Sequence, residues 1–468
     1  MAERVRGIRG RGLRGRGAAG GFDRRLVAPM ILGSILNPIN SSMLAVALVP
    51  IGHAFGVPPS QTAWLVSALY LATAVGQPVI GRLVDAFGPR RLYLLGTALV
   101  GVAGLLGVLA PSFWLLIVSR VLLGFGTSAA YPASMYLLRT ESERTGMKSP
   151  SGILAALSVS NQVIAVIGPT LGGVLIGLGG WHLIFAINVP LSLACLALGA
   201  LRLPKSVRAG READATTSAD VPGMLLFAGS LTAFMLFLTS PGTAHWYLPV
   251  IGAVAGAVFA RRELASADPF IDLRVLSGNT PLLATYARQL LAYTTSYAFL
   301  YGYSQWLQDG RGLGPEQAGL LLLPMSLMAI GVTVLTGRHP QVRGKLFVGG
   351  VAQLVGVVAL LGLNSDSPIW LLVVIGAVFG IPQGLVGLAN QNALYAQADP
   401  ERTGASAGLL RTFSYLGALL ASAANAAFFK GGANTAGLHE LAWMLVVVSV
   451  LLLLVTVADR ALRRIGRD

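Results

Sequence analysis

The sequence is short of charge and nearly without cysteine. Of its 468 residues only 11% are Asp, Glu, Lys or Arg. A soluble domain carries roughly 25% to cover itself with a solvated surface. The single cysteine, Cys195, excludes an intramolecular disulfide framework. No G-x-x-x-x-G-K-[ST] run is present, which excludes a P-loop that hydrolyses nucleotides. No His/Asp or His/Glu metal cluster lies within the apolar runs, so no cofactor is expected and the chain does not read as an enzyme. Acid is scarcer than base, 19 Asp plus Glu against 34 Lys plus Arg for a net +15. Every acid falls in a tail, a loop or a span edge, Glu440 coming nearest to the membrane. What the chain has instead is 54% hydrophobic residues and a mean hydropathy of +0.70, in runs far too long for barrel strands. Its outer surface must be lipid, and the expected fold class is an all-α polytopic membrane protein.

Each crossing needs about 20 apolar residues. The runs are 27–49, 61–80, 92–110, 114–138, 152–178, 183–203, 222–240, 246–260, 281–305, 317–336, 346–363, 368–394, 404–429 and 439–458, giving 14 transmembrane helices. An even count puts both termini on one side. With that side cytoplasmic, 29 of the 34 Lys/Arg residues face the cytoplasm, Arg311 and Lys430 face outward, and Arg120, Arg288 and Arg411 lie inside spans. This is the asymmetry that cytoplasmic loops carry, so a multi-pass protein of the cell (inner) membrane with both termini cytoplasmic is expected. The first 25 residues hold eight arginines among glycines. Next to a first span, an arm over 1–26 reads as a disordered topology anchor on anionic lipid, not as a nucleic-acid partner. It is not a cleavable signal peptide, because the apolar stretch that follows is long enough to span and lacks a small-residue cleavage site.

An offset of 256 residues aligns the two halves: Pro59 and Gln61 with Pro315 and Gln317, Gly81-Arg82 with Gly337-Arg338, Trp114 with Trp370, and Gly124 with Gly380. Each pair holds the same place relative to its span. The offset covers eight spans, so two six-helix pseudo-repeats, 27–203 and 275–458, flank a linker and two-helix insert over 204–274, with a cytoplasmic tail over 459–468. Membrane proteins built from such repeats hold a small-molecule substrate near the midplane between the halves. The chain is expected to work as a monomer.

Three stretches carry a family resemblance. The loop after the second span reads Gly81-Arg-Leu-Val-Asp85-Ala-Phe-Gly88-Pro-Arg90-Arg91, the fourth span Arg120-Val-Leu-Leu-Gly124-Phe-Gly126, and the fifth Ile167-Gly168-Pro169-Thr-Leu-Gly172-Gly173. Physically, Gly81 allows a close helix approach, Gly88 a tight turn, and Asp85 can pair with nearby arginines or cap a helix. A buried arginine such as Arg120 demands a partner or an aqueous cavity. Pro169 removes a helix hydrogen bond and its neighbouring glycines allow close contact. Together the three resemble the signatures of the major facilitator superfamily, in its 14-span drug:proton antiporter branch. The resemblance implies that Asp85 latches the halves on the cytoplasmic side and that Arg120 takes part in coupling. It also implies that the fifth-span motif G-x-x-x-G-P-x-x-G-G, whose first glycine is Ile164 here, belongs to exporters. The run Trp181-His182-Leu-Ile-Phe185-Ala-Ile-Asn188-Val-Pro190 is similar to a further family pattern, with His182 in place of arginine.

The implied activity is export of amphipathic drugs or metabolites by alternating access, in exchange for protons. Yet the acid that related antiporters carry in the first span is Asn40 here, and three membrane arginines face no carboxylate. Arg288 and Arg411 are therefore expected to line a substrate cavity able to accept an anionic or carbonyl-rich compound. Asn37, Asn40, Asn161, Gln162, Tyr303, Gln305, Gln383 and Asn390 are expected to complete it. The competing expectation is a uniporter or importer of an organic anion, with the intramembrane arginines as ligands.

Overall fold

The computed structural model describes residues 22–145, 151–205, 220–239, 243–266, 269, 271, 273–276, 278–336, 341–398 and 403–465. Most of the Arg/Gly arm, most of the 204–219 linker, Gly337-Arg338 and the last three residues of the tail lie outside these. Among the described residues there is no strand. The helices are α1 Val27–Ser34, α2 Leu36–Phe55, α3 Pro59–Phe87, α4 Pro89–Val108, α5 Phe113–Thr127, α6 Ala130–Thr145, α7 Ser151–Gly179, α8 His182–Ala186 and α9 Asn188–Arg202. They continue with α10 Val221–Thr239, α11 Tyr247–Ala265, α12 Thr280–Asp309, α13 Pro315–Leu321, α14 Leu323–Thr336, α15 Val342–Leu360, α16 Ile369–Gln397, α17 Thr403–Phe428 and α18 Thr435–Ala458.

Short breaks join α1–α2, α5–α6, α8–α9 and α13–α14 end to end, so every expected apolar run is helical. Among the described residues twelve helical stretches are long and apolar enough by composition to span a membrane. Two of the fourteen expected runs fall short of that measure: α11, with Arg261-Arg262-Glu263 in its last turn, and α12, whose Thr, Tyr, Gln and Ser residues dilute its apolar content. Proline sets several starts: Pro59, Pro89 and Pro315 occupy the first turn of α3, α4 and α13, where a missing N–H costs nothing. Gly88, at φ 87°, separates α3 from α4 in a conformation that favours glycine.

Helices α1–α9 form one half and α12–α18 the other. The 256-residue offset recurs at the level of atoms. A methyl group added to Gly124 would meet the Ala72 Cβ at 2.6 Å, the Leu69 carbonyl and the Thr73 nitrogen, while at Gly380 the obstacles are the Met328 Cβ at 2.7 Å, the Met325 carbonyl and the Ala329 nitrogen. Each of the three obstacles is displaced by 256 positions. Trp114 and Trp370, the other matched landmarks, are 73% and 65% exposed, as belt residues facing lipid would be. The halves meet along a seam where α7 packs on α13 and α14, α3 on α17, and α2 on α12 and α13. In the insert, α10 packs on α11 and also on both α3 and α17, so it covers one flank of that seam.

One expectation fails here. Arg288 does have an acid: its Nη1 lies 2.8 Å from Asp459 Oδ2, with side chains 0% and 4% exposed. The same guanidinium donates to Thr285 Oγ1 at 2.6 Å and to Asn390 Oδ1 at 3.3 Å, and Asn390 passes the network on to Gln289 and Ser414. Asp459 looks like tail in the sequence, but it caps the end of α18 and folds back onto α12. Arg288 and Asn390 therefore tie α12, α16, α17 and α18 together within one half. Breaking a buried pair from one side leaves an uncompensated charge, at about 3–5 kcal/mol, whereas replacing both partners by apolar groups is often neutral. Asp459→Ala is expected to lower the unfolding midpoint of detergent-solubilised protein sharply, and Arg288→Met/Asp459→Leu to restore most of it. An Asp459→Ala melting curve that overlays the wild type would dismiss the pair as a stabilising contact.

Candidate functional site at the seam of the halves

Arg120 sits in α5 and is 1% exposed. Among the described residues no carboxylate pairs with it. Its Nε donates to the Leu65 carbonyl at 3.0 Å, and Nη1 and Nη2 donate to the Asn40 carbonyl at 3.3 and 3.2 Å. A buried cation needs compensation, and backbone dipoles supply it. The carbonyl is the main-chain one, and the Asn40 side chain is engaged separately: Asn40 Nδ2 donates to Asn188 Oδ1 at 2.6 Å, and Asn188 Nδ2 to Asn40 Oδ1 at 2.9 Å. Asn37 likewise bonds Thr73 and Thr127. Both amides serve packing within the first half and do not face a cleft.

The second half answers with tyrosines. Tyr293, Tyr297 and Tyr301 recur every four residues on α12 and so share a face. Ring centroids are 5.8 Å apart at each step, and Tyr70 of α3 joins Tyr297 at 5.4 Å and Tyr415 of α17 at 5.9 Å. At one end Tyr301 donates to the carbonyl of Ser41, next to the carbonyl that holds Arg120. At the other, Arg411 Nε donates to Tyr415 Oη at 3.0 Å, and the guanidinium lies 4.0 Å over the ring of Tyr131 in α6, an attraction to the negative face of the π-system. A file of phenols thus runs between two arginines and crosses from one half to the other. The Tyr70 hydroxyl is buried without a hydrogen-bond partner, while Tyr131, Tyr293, Tyr297 and Arg411 are half-buried.

Further expected residues border the same seam. Gln162 Nε2 donates to the Gln383 carbonyl at 3.2 Å, and the buried Asn161 Oδ1 has no partner. Gln305 donates to the Tyr301 carbonyl and lines a cavity of 410 Å³ at the end of the bundle that is poor in Lys and Arg. Tyr303 does not belong with them. It is fully buried in its own half, bonded to the Leu372 carbonyl and stacked on Phe299 and Trp306.

The glycines of α7 divide between two neighbours. A side chain at Gly168 would collide with Ser42, and one at Gly172 would come within 2.8 Å of the Met43 carbonyl, both on α2. At Gly173 it would come within 2.8 Å of the Pro315 carbonyl, across the seam, and the Pro169 carbonyl faces Gly319 at the same crossing. Pro169 stands inside an unbroken helix. The loop signature behaves less uniformly. Gly88 makes its turn, and Arg90 Nη2 donates to the Ala200 carbonyl at 2.9 Å, tying the loop to α9. Gly81 is not a close approach, since a Cβ there would meet Pro132 only at 4.0 Å. On α3 that role falls to Gly76, against Phe125 and Ser128 at 3.0 Å. The side chain of Asp85 lies outside the described residues.

The model of the Major Facilitator Superfamily matches residues 30–422. An uncharacterized MFS-type transporter, YwoD of Bacillus subtilis, is 34% identical over 83% of this chain and 86% of its own. The lincomycin resistance protein of Streptomyces lincolnensis is 30% identical over 82% and 79%, and the riboflavin transporter RibZ of Clostridioides difficile 26% identical over 85% and 86%. Among solved structures, a point mutant of the nucleoside transporter NupG superposes with a TM-score of 0.62 at 13% identity, covering 93% of this chain and 100% of that one, a likeness of fold.

The Asn40–Asn188 pair gives a direct check. Asn188→Leu leaves the buried Asn40 Oδ1 without its donor, although Nδ2 keeps its bond to the Leu36 carbonyl; the loss is about 1–3 kcal/mol and should lower the unfolding midpoint. Restoring it with Asn40→Leu in the same chain should recover part of the loss; if both single variants melt like the wild type, the pair does not hold α2 to α9.

Proposed function

The chain belongs to the major facilitator superfamily, and on that premise we propose that it exports amphipathic drugs or metabolites by alternating access, driven by exchange for protons. The observation that carries this reading is the tyrosine file between Arg120 and Arg411. It offers flat, polarizable faces to an aromatic or lipophilic compound at the junction of two repeat-related halves, where rocking would expose it to each side in turn. Arg120 is the coupling residue, and Asp85, Gly81, Gly88 and Arg90 act on the cytoplasmic side, where α3 turns into α4. Gly168, Pro169, Gly172 and Gly173 let α7 slide against α2 and α13. Substrate meets Arg411, Tyr131, Tyr293 and Tyr297, with Asn161, Gln162 and Gln383 along the cleft wall. The chain crosses the cell membrane fourteen times as a monomer with both termini in the cytoplasm.

Two kinds of support stand behind drug export. The fifth-span motif is of the exporter type, and relatives over most of the chain are named for antibiotic resistance, to lincomycin and to tetracenomycin C. A second reading, uniport or import of an organic anion, draws on one observation: the Arg411 guanidinium is flanked by phenols and by no carboxylate among the described residues. With Arg288 committed to Asp459, that reading rests on fewer arginines than the sequence offered.

The experiment is a panel of dyes, biocides and antibiotics in a host stripped of its own exporters, followed by everted vesicles with a compound that scores. Expression should protect, and an imposed gradient should drive uptake with substrate-dependent proton release that an uncoupler abolishes. Arg411→Gln should cut transport about tenfold, equivalent to about 1.4 kcal/mol. Unchanged susceptibility across the panel overturns drug export, and a flux insensitive to the gradient transfers the chain to the uniporter reading.

A further inference from the structure

The missing membrane acid leaves open where a proton acts, and the end of the bundle poor in Lys and Arg carries a candidate. There the cavity of 410 Å³ lies between the halves, bounded by the end of α2, the start of α3, the end of α12 and the loop after α17. Across it His53 Nε2 of the first half stands 3.4 Å from Asp309 Oδ1 of the second, the imidazole 76% exposed and the carboxylate side chain 23%. The end is shut in this structure. Thr170 donates to the Gly319 carbonyl at 2.9 Å, Ser326 to the Val166 carbonyl, and Ser67 to Ser422 at 3.0 Å, all across the seam.

We propose that this cavity is a proton-binding site, with Asp309 the acceptor and His53 its partner, and that a proton taken from the outer side drives the outer end closed. The inference rests on the alternating-access reading above. Asp309 lies one turn past the expected end of its span. Burial pushes its carboxyl above the ordinary carboxylate range and outweighs His53 and the Ala433 backbone N–H, which hold it down. If the end opens, Asp309 returns to water and to its usual value. Protonation favours whichever arrangement binds the proton more tightly, and that is the shut one. Acid outside therefore favours closure, in the window from the raised value down to about 3.9.

The other charges near the cavity do not compete for Asp309. Lys430, in the loop after α17, is exposed on the rim. Arg311 is turned away to the Ser367 carbonyl, and Glu316 of α13 lies against Gly177 of α7. From α3 the cavity receives the hydroxyl of Thr62 and no charge. In an exporter this step gates the return stroke: with substrate released outside, a proton bound from the outer side shuts the outer end, and it leaves to the same side when that end reopens, so the site times closure and does not itself carry protons across.

The test uses full-length protein in liposomes, with Cys195→Ala and a single reporter, Thr62→Cys, in the cavity wall. The rate of labelling by an impermeant maleimide is divided by that of Ser365→Cys in an exposed loop, which removes the intrinsic pH dependence of the thiol. From external pH 8 to 4.5 the ratio is expected to fall, by up to about tenfold for each unit by which closure raises proton affinity. Asp309→Asn should flatten the curve and His53→Gln should shift it. A wild-type ratio indifferent to pH, a ratio that rises in acid, or a slope retained in both variants overturns the site. Gly173→Leu, wedged into the outer seam, separates this from the parent reading: it should label fast at every pH. If it too stays unlabelled, the end does not open, and alternating access fails along with the inference.

Discussion

A guanidinium inside a helical bundle with no carboxylate beside it has to be solvated by the backbone, and that demand organises the first half. Arg120 takes the Leu65 and Asn40 carbonyls, which ties both α3 and α2 to α5. Asn40 must then hold its own amide away from the arginine, and Asn188 of α9 receives it. Four helices are thereby fixed around one charge. The second half solves the same problem by different means: Arg288 is paired with Asp459, and Arg411 rests on phenols. Three arginines, two buried and one half-buried, have three kinds of neighbour, and only the last has a face shared between the halves.

Much of this was legible in order of how local the cause is. Apolar run length gave every helix, and the 256-residue offset anticipated a packing equivalence that holds for individual atoms around Gly124 and Gly380. Partners far along the chain were not legible. Asp459 is 171 positions from Arg288 and Asn188 is 148 from Asn40, and nothing in either neighbourhood announces the other. The tyrosines were not legible as a site either: a four-residue spacing marks only one face of α12, and Tyr70 and Tyr415, which complete the file, come from other helices. Tyr303 shows the converse error: it shares a helix with the file yet sits two positions from Tyr301, on a face turned into its own half.

The seam is built so that its two flanks differ. Along α7 and α13 the contact is backbone on backbone, made by Gly173 and Gly319, with room for nothing larger. Surfaces this bare have little to interlock and can slide. Along α3 and α17 the contact is side chain on side chain, with Ser67 and Ser422 bonded and Tyr70 set between Tyr297 and Tyr415. That flank is interlocked, with the Tyr70 ring edge-on to Tyr297 and tilted against Tyr415.

The insert bears on how a compound dissolved in the bilayer would arrive. Because α10 lies against both α3 and α17, it seals that flank from the lipid tails over its own length. The opposite flank, where α7 packs on α14 and the half-buried Asn161 and Gln162 stand, is not covered by α10. The two helices between the repeats thus make the flanks of the seam unequal, one behind α10 and the other without it.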